Sequence, residues 1–99
     1  MIRGTTPTLS FELPTDTGEL SEVWITISQK GSIVLNKTLS DCTMSGNTLT
    51  VTLTQQETLL FENDGTAEIQ LRARLSGGTA VASAIIPVET DRILKDGVI

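Results

Sequence analysis

The chain has 99 residues, with 7 Lys or Arg against 12 Asp or Glu, no His, no Tyr and a net charge of −5. That length suits one domain whose modest core needs neither metal nor disulfide. The negative balance and the scattered basic residues argue against nucleic acid, because neutralising phosphates takes clustered Lys and Arg, and no stretch has the apolar length of a signal peptide or a membrane span.

Phe11, Trp24 and Phe61 are the only aromatics, so the core must come from Leu, Ile, Val and Ala. Cys42 stands alone, which rules out an intrachain disulfide and fits synthesis in a reducing cytoplasm. The opening Met1 and the closing Val98-Ile99 read as those of an intact small gene product.

In chain order, the first strand is expected over Thr8–Leu13, with Leu9, Phe11 and Leu13 on one face and Pro7 and Pro14 bracketing it. Thr15–Gly18 is a polar turn. Val23–Gln29 forms the second strand, with Val23, Ile25 and Ile27 inward. Trp24 falls on the outward side and breaks the pattern. Lys30-Gly31 has the chemistry of a tight hairpin turn. The third strand, Ser32–Leu39, has no clear phase because Ile33, Val34 and Leu35 are consecutive. Ser40–Asn47 reads as a polar connection.

Thr48–Leu53 alternates Thr with Leu49, Val51 and Leu53, as a half-buried strand does. Thr54-Gln55-Gln56-Glu57 matches a capping box and predicts a short helical turn near residues 55–60. Phe61 follows as a plug for the end of the core. Thr66–Leu75 carries the clearest signal: Ala67, Ile69, Leu71, Ala73 and Leu75 alternate with Glu68, Gln70, Arg72 and Arg74. Asp64-Gly65 and Gly77-Gly78 bracket it as turns. A last strand is expected over Thr79–Ile86, ended by Pro87, with Ala80, Ala82, Ala84 and Ile86 on one face and Val81, Ser83 and Ile85 on the other.

Strands at this spacing, separated by turn residues, predict an all-β protein: a single-domain antiparallel β-sandwich over residues 1–99 with one short helical turn. The passage from Thr48 to Leu75 (strand, helical turn, long strand) also has the form of the E–F corner of immunoglobulin-like domains, though the corner Tyr and the Cys pair are missing.

Little in the chain suits catalysis. Without His there is no Ser-His-Asp triad, no imidazole base and no imidazole metal ligand. Cys42 lacks a base beside it and reads as a small half-buried residue in a connection. Asp16, Glu19 and Glu22 could pair for glycoside chemistry, but a solvated loop explains them. Asp16–Glu19 and Glu62–Gly65 lack the ligand spacing of a calcium loop. No catalytic, cofactor-binding or metal site is expected, and no small-molecule substrate.

Two features point to binding. Trp24 lies on a face that should be wet, and Trp is enriched at the centres of interfaces. The apolar tail residues Ile93, Leu94, Val98 and Ile99 follow the last strand. Either the tail covers Trp24 within the chain or these residues meet a partner, and exposed strand edges also invite pairing between chains.

Three segments carry a resemblance: Ile2-Arg3-Gly4-Thr5-Thr6-Pro7-Thr8, Asp41-Cys42-Thr43-Met44-Ser45-Gly46-Asn47-Thr48 and Leu53-Thr54-Gln55-Gln56-Glu57-Thr58. Together, across nearly the whole chain, they resemble small uncharacterised prophage-encoded proteins of Gram-positive bacteria. The opening and its following strand also resemble, more distantly, the amino-terminal sandwich domain of phage baseplate upper proteins, which attaches a receptor-binding device to the tail. On this reading the chain is expected to end at the sandwich, with no helical stalk.

The resemblance implies a phage or prophage structural or assembly module, associated with a tail or baseplate. Its expected partners are copies of itself or other phage structural proteins, with cytoplasmic synthesis and incorporation into a virion. It carries over no site residues. The alternatives are a carbohydrate- or cell-surface-binding module of the same architecture and, last, a small hydrolase using acidic residues.

Overall fold

The computed structural model describes every residue from Met1 to Ile99. Its strands are β1 (Thr8–Glu12), β2 (Leu20–Gln29), β3 (Ser32–Thr38), β4 (Thr43–Ser45), β5 (Thr48–Thr52), β6 (Gly65–Leu75), β7 (Ala80–Ala82) and β8 (Ile86–Thr90). A single helical turn, α1 (Gln55–Thr58), joins β5 to β6. One sheet has the order β1-β5-β4; the other runs β3-β2-β6, with β7 and β8 both on the far side of β6. All strand pairs are antiparallel.

The all-β sandwich expected from the alternation is what the chain forms. Its strand order is immunoglobulin-like. With β1 taken as strand B and β6 as strand F, the sheets read B–E–D and C′–C–F–G, and no strand stands where strand A would flank β1.

The inward positions of β2, β5 and β6 supply most of the core. Val23, Ile25, Ile27, Leu49, Val51, Ala67, Ile69, Leu71 and Ala73 are buried, and Leu13, Leu53 and Phe61 complete the cluster. β6 is the central strand, as its bracketed alternation implies, and Glu68, Arg72 and Arg74 face water.

The capping box forms with both of its bonds: the Glu57 N–H donates to Thr54 Oγ1 at 3.2 Å, and the Thr54 N–H donates to Glu57 Oε1 at 2.9 Å. Lys30 and Gly31 both take positive φ, as a two-residue hairpin of the twist-matching kind requires.

Four local expectations are corrected. β2 begins at Leu20, three residues before Val23, with a register shift between Leu20 and Glu22. In β3 the register shifts by one, since Ile27 faces Leu35 while Ser28 faces Ile33. Val34 is therefore a bulged extra residue, and this resolves the phase: Leu35 turns inward and Ile33 outward, where it is 65% exposed. The connection Ser40–Asn47 contains the short β4, which pairs with β5 across the Gly46-Asn47 turn.

The last strand is interrupted rather than ended at Pro87. Ala73 faces Val81, but Ala67 faces Val88, so one extra residue is taken up between β7 and β8. The Ser83 side chain bridges the break, its Oγ accepting from the Leu71 N–H at 3.0 Å. Because of the shift, Val81 and Ile86 lie on the same inward face instead of opposite ones. Pro87 fits inside β8 because the groups of its odd-numbered residues point away from β6. Asp91, at the same phase, exchanges both its backbone bonds with the amino-terminal segment instead, so the missing proline N–H costs no ladder bond.

Candidate interaction surface

The outer face of the β3-β2-β6-β7 sheet presents Trp24. On β2 it stands beside Thr38 of β3 and Arg72 of β6, and Arg72 in turn stands beside Ala82. The next row is Glu22, Arg74 and Ala80. Two alanines on β7 leave room over this corner, and a shallow depression of about 250 Å³ opens there between Trp24, Glu22 and the two arginines.

The indole is exposed but held. Trp24 is 43% exposed, and its Nε1–H donates to Glu22 Oε2 at 2.8 Å. The other carboxylate oxygen of Glu22 receives Arg74 at 3.2 Å. One carboxylate therefore orients both the ring and a guanidinium, which leaves little side-chain freedom to lose on binding. Arg72, directly across from Trp24, has no carboxylate partner within ion-pair distance.

The structure does not bring Trp24 and the tail together within one chain. The tail leaves β8 beside Gly65, whereas Trp24 stands beside Arg72. Seven residues of extended strand separate those positions, about 23 Å. The tail instead turns to the end of the sandwich. The Ile99 N–H donates to Gln55 Oε1 at 2.8 Å, and Gln55 Nε2 donates back to the Ile99 carbonyl at 3.2 Å. Asp96 approaches Arg3 at 3.8 Å. Ile93 is half-buried against Gly4, while Leu94, Val98 and Ile99 are exposed.

The sandwich has a second apolar feature. A groove of about 360 Å³ runs along the open side of the sandwich, between β1 and the interrupted β7–β8 strand, lined chiefly by Phe11, Leu13, Leu71, Val81 and Ile86. It depends on the bulge that turns Ile86 inward and on the proximity of β1 to β7. The first is a one-residue shift and the second a long-range contact, and neither leaves a local pattern in the sequence.

Residues considered for chemistry have structural roles. Burial raises the Cys42 thiol above its ordinary value, helped by the neighbouring Asp41 charge and opposed by Lys37. Its Sγ donates to the Thr38 carbonyl. Asp16 caps the short turn at Thr17–Glu19 by accepting from the Gly18 N–H at 2.8 Å. Asp64 takes the left-handed conformation that the turn into β6 requires. No helix is long and apolar enough to cross a membrane.

The segments singled out by resemblance also have identifiable roles in the fold. Arg3 ties the amino terminus to the corner after α1, with Nε donating to the Phe61 carbonyl at 2.6 Å and an Nη to the Leu59 carbonyl at 3.1 Å. The Thr58 hydroxyl donates to the Thr5 carbonyl at 2.9 Å. No family model, curated protein or solved structure matches the chain.

Proposed function

We propose that this chain is a non-enzymatic structural or assembly module of a phage or prophage, associated with a tail or baseplate, that acts through protein–protein contact. The phage setting rests on the resemblance of the three segments to small prophage-encoded proteins. The mode of action rests on one observation: Trp24 is 43% exposed and fixed in place by Glu22, with Arg72 and Arg74 beside it. Trp and Arg are the residues that most often carry binding energy at interface centres, and a preorganised ring binds at lower entropic cost.

The experiment is to express the structural genes of the prophage that encodes the chain and to purify particles on a density gradient. The chain is expected in the particle fraction at a fixed ratio to tail proteins. Its confinement to the free-protein fraction would contradict the reading.

A second reading, a carbohydrate- or cell-surface-binding module, draws on the same indole. A held aromatic platform ringed by Glu22, Arg72 and Arg74 can stack on a sugar ring while polar groups meet its hydroxyls. Titrating purified Gram-positive wall polysaccharides against Trp24 emission separates the two, since a saturable change favours the sugar.

A further inference from the structure

We infer that two copies of this chain pair antiparallel through their β1 edges, related by a twofold axis at Ser10. The inference deepens the reading of the chain as an interaction module, but it uses a different sheet from Trp24 and calls for no phage component.

The free edges of the two sheets are not equally guarded. β3 carries the Val34 bulge and the Lys37 side chain. β4 is only three residues long. The β7–β8 edge is broken by its register shift, contains Pro87, and is covered at its far end by the bridge from Ile2 to Asp91. These are the usual devices against edge-to-edge pairing. β1 has none of them. It is in unbroken register with β5, and it contains no Lys, Pro or bulge.

The ladder defines which groups are free. The Leu13 N–H donates to the Asn47 carbonyl and the Leu53 N–H donates to the Pro7 carbonyl, so the odd-numbered residues of β1 direct their backbone groups to β5. By the alternation of antiparallel strands, Thr8, Ser10 and Glu12 direct both N–H and C=O to the open side. Pro7 lies in the odd phase and does not obstruct that side. Pro14 lies in the even phase and ends it.

A second β1 is the strand these constraints fit. Centring the pair on Ser10 sets Ser10 against Ser10 of the second copy and Thr8 against Glu12 of the second copy. Each pairing then joins residues whose groups are free, giving about six backbone bonds. No carboxylate faces another, which suits a chain of net charge −5. On the inner face Leu9 meets Phe11 of the second copy. The incoming Leu9 and Phe11 side chains point toward the groove that Phe11, Val81 and Ile86 leave open, so one contact satisfies the edge and covers the apolar groove. The incoming strand takes the place that strand A leaves empty.

The test is sedimentation of the full chain and of Ser10→Pro, at concentrations reaching about 100 μM. By the alternation of the ladder Ser10 gives no backbone bond to β5, so the proline takes away the outward donor without breaking the β1–β5 ladder. A dimer for the wild type and a monomer for a Ser10→Pro protein with unchanged circular dichroism is the expected result. A monomeric wild type, or a Ser10→Pro dimer, overturns the inference.

Should Ser10→Pro not fold, oxidation decides. Paired residues of this kind lie about 5.5 Å apart at Cα, within disulfide range. In a Cys42→Ser background, Ser10→Cys should cross-link to a covalent dimer while Thr50→Cys, on the central strand of the same sheet, does not. Equal cross-linking of both, or none at Ser10, overturns it. Each of these failures leaves the Trp24 reading intact, because its assay is particle incorporation.

Discussion

Gln29 Nε2 donates to the Thr90 hydroxyl oxygen at 3.0 Å in the buried wall where β2, β6 and β8 meet. The same side chain accepts from the Glu62 N–H at 2.7 Å. The Thr90 hydroxyl donates to the Glu62 carbonyl at 2.6 Å. No buried side-chain polar atom is left without a partner. The cluster fastens the turn before β6 to the last strand, which in turn fixes where the tail leaves the sandwich.

Gln29→Ala should therefore cost about 1–3 kcal/mol, since it strands the Glu62 N–H in a half-buried site. Gly65→Ala should destabilise in the same direction, because its Cβ would lie 2.7 Å from Gln29 Nε2. Urea unfolding midpoints at constant slope measure both. Wild-type midpoints would show that the cluster is dispensable.

Leu71 and Arg72 are neighbours on β6 with opposite environments. Leu71 is 2% exposed and lies in the core; Arg72 faces water. Leu71→Ala should cost about 2–5 kcal/mol, the usual range for truncating a buried Leu. Arg72→Ala should change stability by less than about 0.5 kcal/mol. Equal losses in thermal or urea unfolding would mean that the faces of β6 are misassigned.

Acid should weaken the corner at α1. Burial alone would raise the Glu57 carboxyl, but its bond with Lys37 and the Thr54 N–H outweigh burial and hold it below its ordinary value of 4.5. At low pH the unfolded chain then binds more protons than the folded one, so stability falls as pH drops. The contribution is complete above 4.5 and is lost as pH falls through the lower folded value. Glu57→Gln keeps an acceptor for the Thr54 N–H but has no charge to lose. Its melting temperature should fall less than that of the wild type between neutral pH and about pH 3.5. Parallel falls would show that the Lys37–Glu57 pair contributes nothing.

Removing residues 93–99 should leave the emission maximum of Trp24 unchanged in the folded monomer. The tail is fastened to Gln55 and Arg3, and the indole is already open to solvent. The chain has one Trp and no Tyr, so the spectrum reports this residue alone. A red shift would place the tail over Trp24 after all.

Where neighbouring residues set the structure, the sequence was legible. The alternation of Thr66–Leu75, the capping box at Thr54–Glu57 and the turn at Lys30-Gly31 each depend on residues at most a few places apart, and each formed. What escaped depends on the partner strand. The bulge at Val34 follows from how β3 meets β2, and the shift between β7 and β8 from how both meet β6. Pro87 looked like a strand end because its ring forbids a ladder donor. In β8 its phase points that position away from β6, where no donor is needed. Trp24 was legible as an outward residue by its phase alone. Its proximity to the tail was not, because apolar character says nothing about where along a sheet two segments lie.

The surface assignment is tested most directly by competition. Wild-type and Trp24→Ala chains, separately tagged and shown to melt alike, are supplied in equal amounts while particles assemble from the structural proteins of the phage or prophage proposed to use the chain. The tag ratio is read in gradient-purified particles. Wild type should be enriched about tenfold or more, equivalent to at least about 1.4 kcal/mol of contact energy. Incorporation of the two chains in equal amounts would contradict a docking role for Trp24.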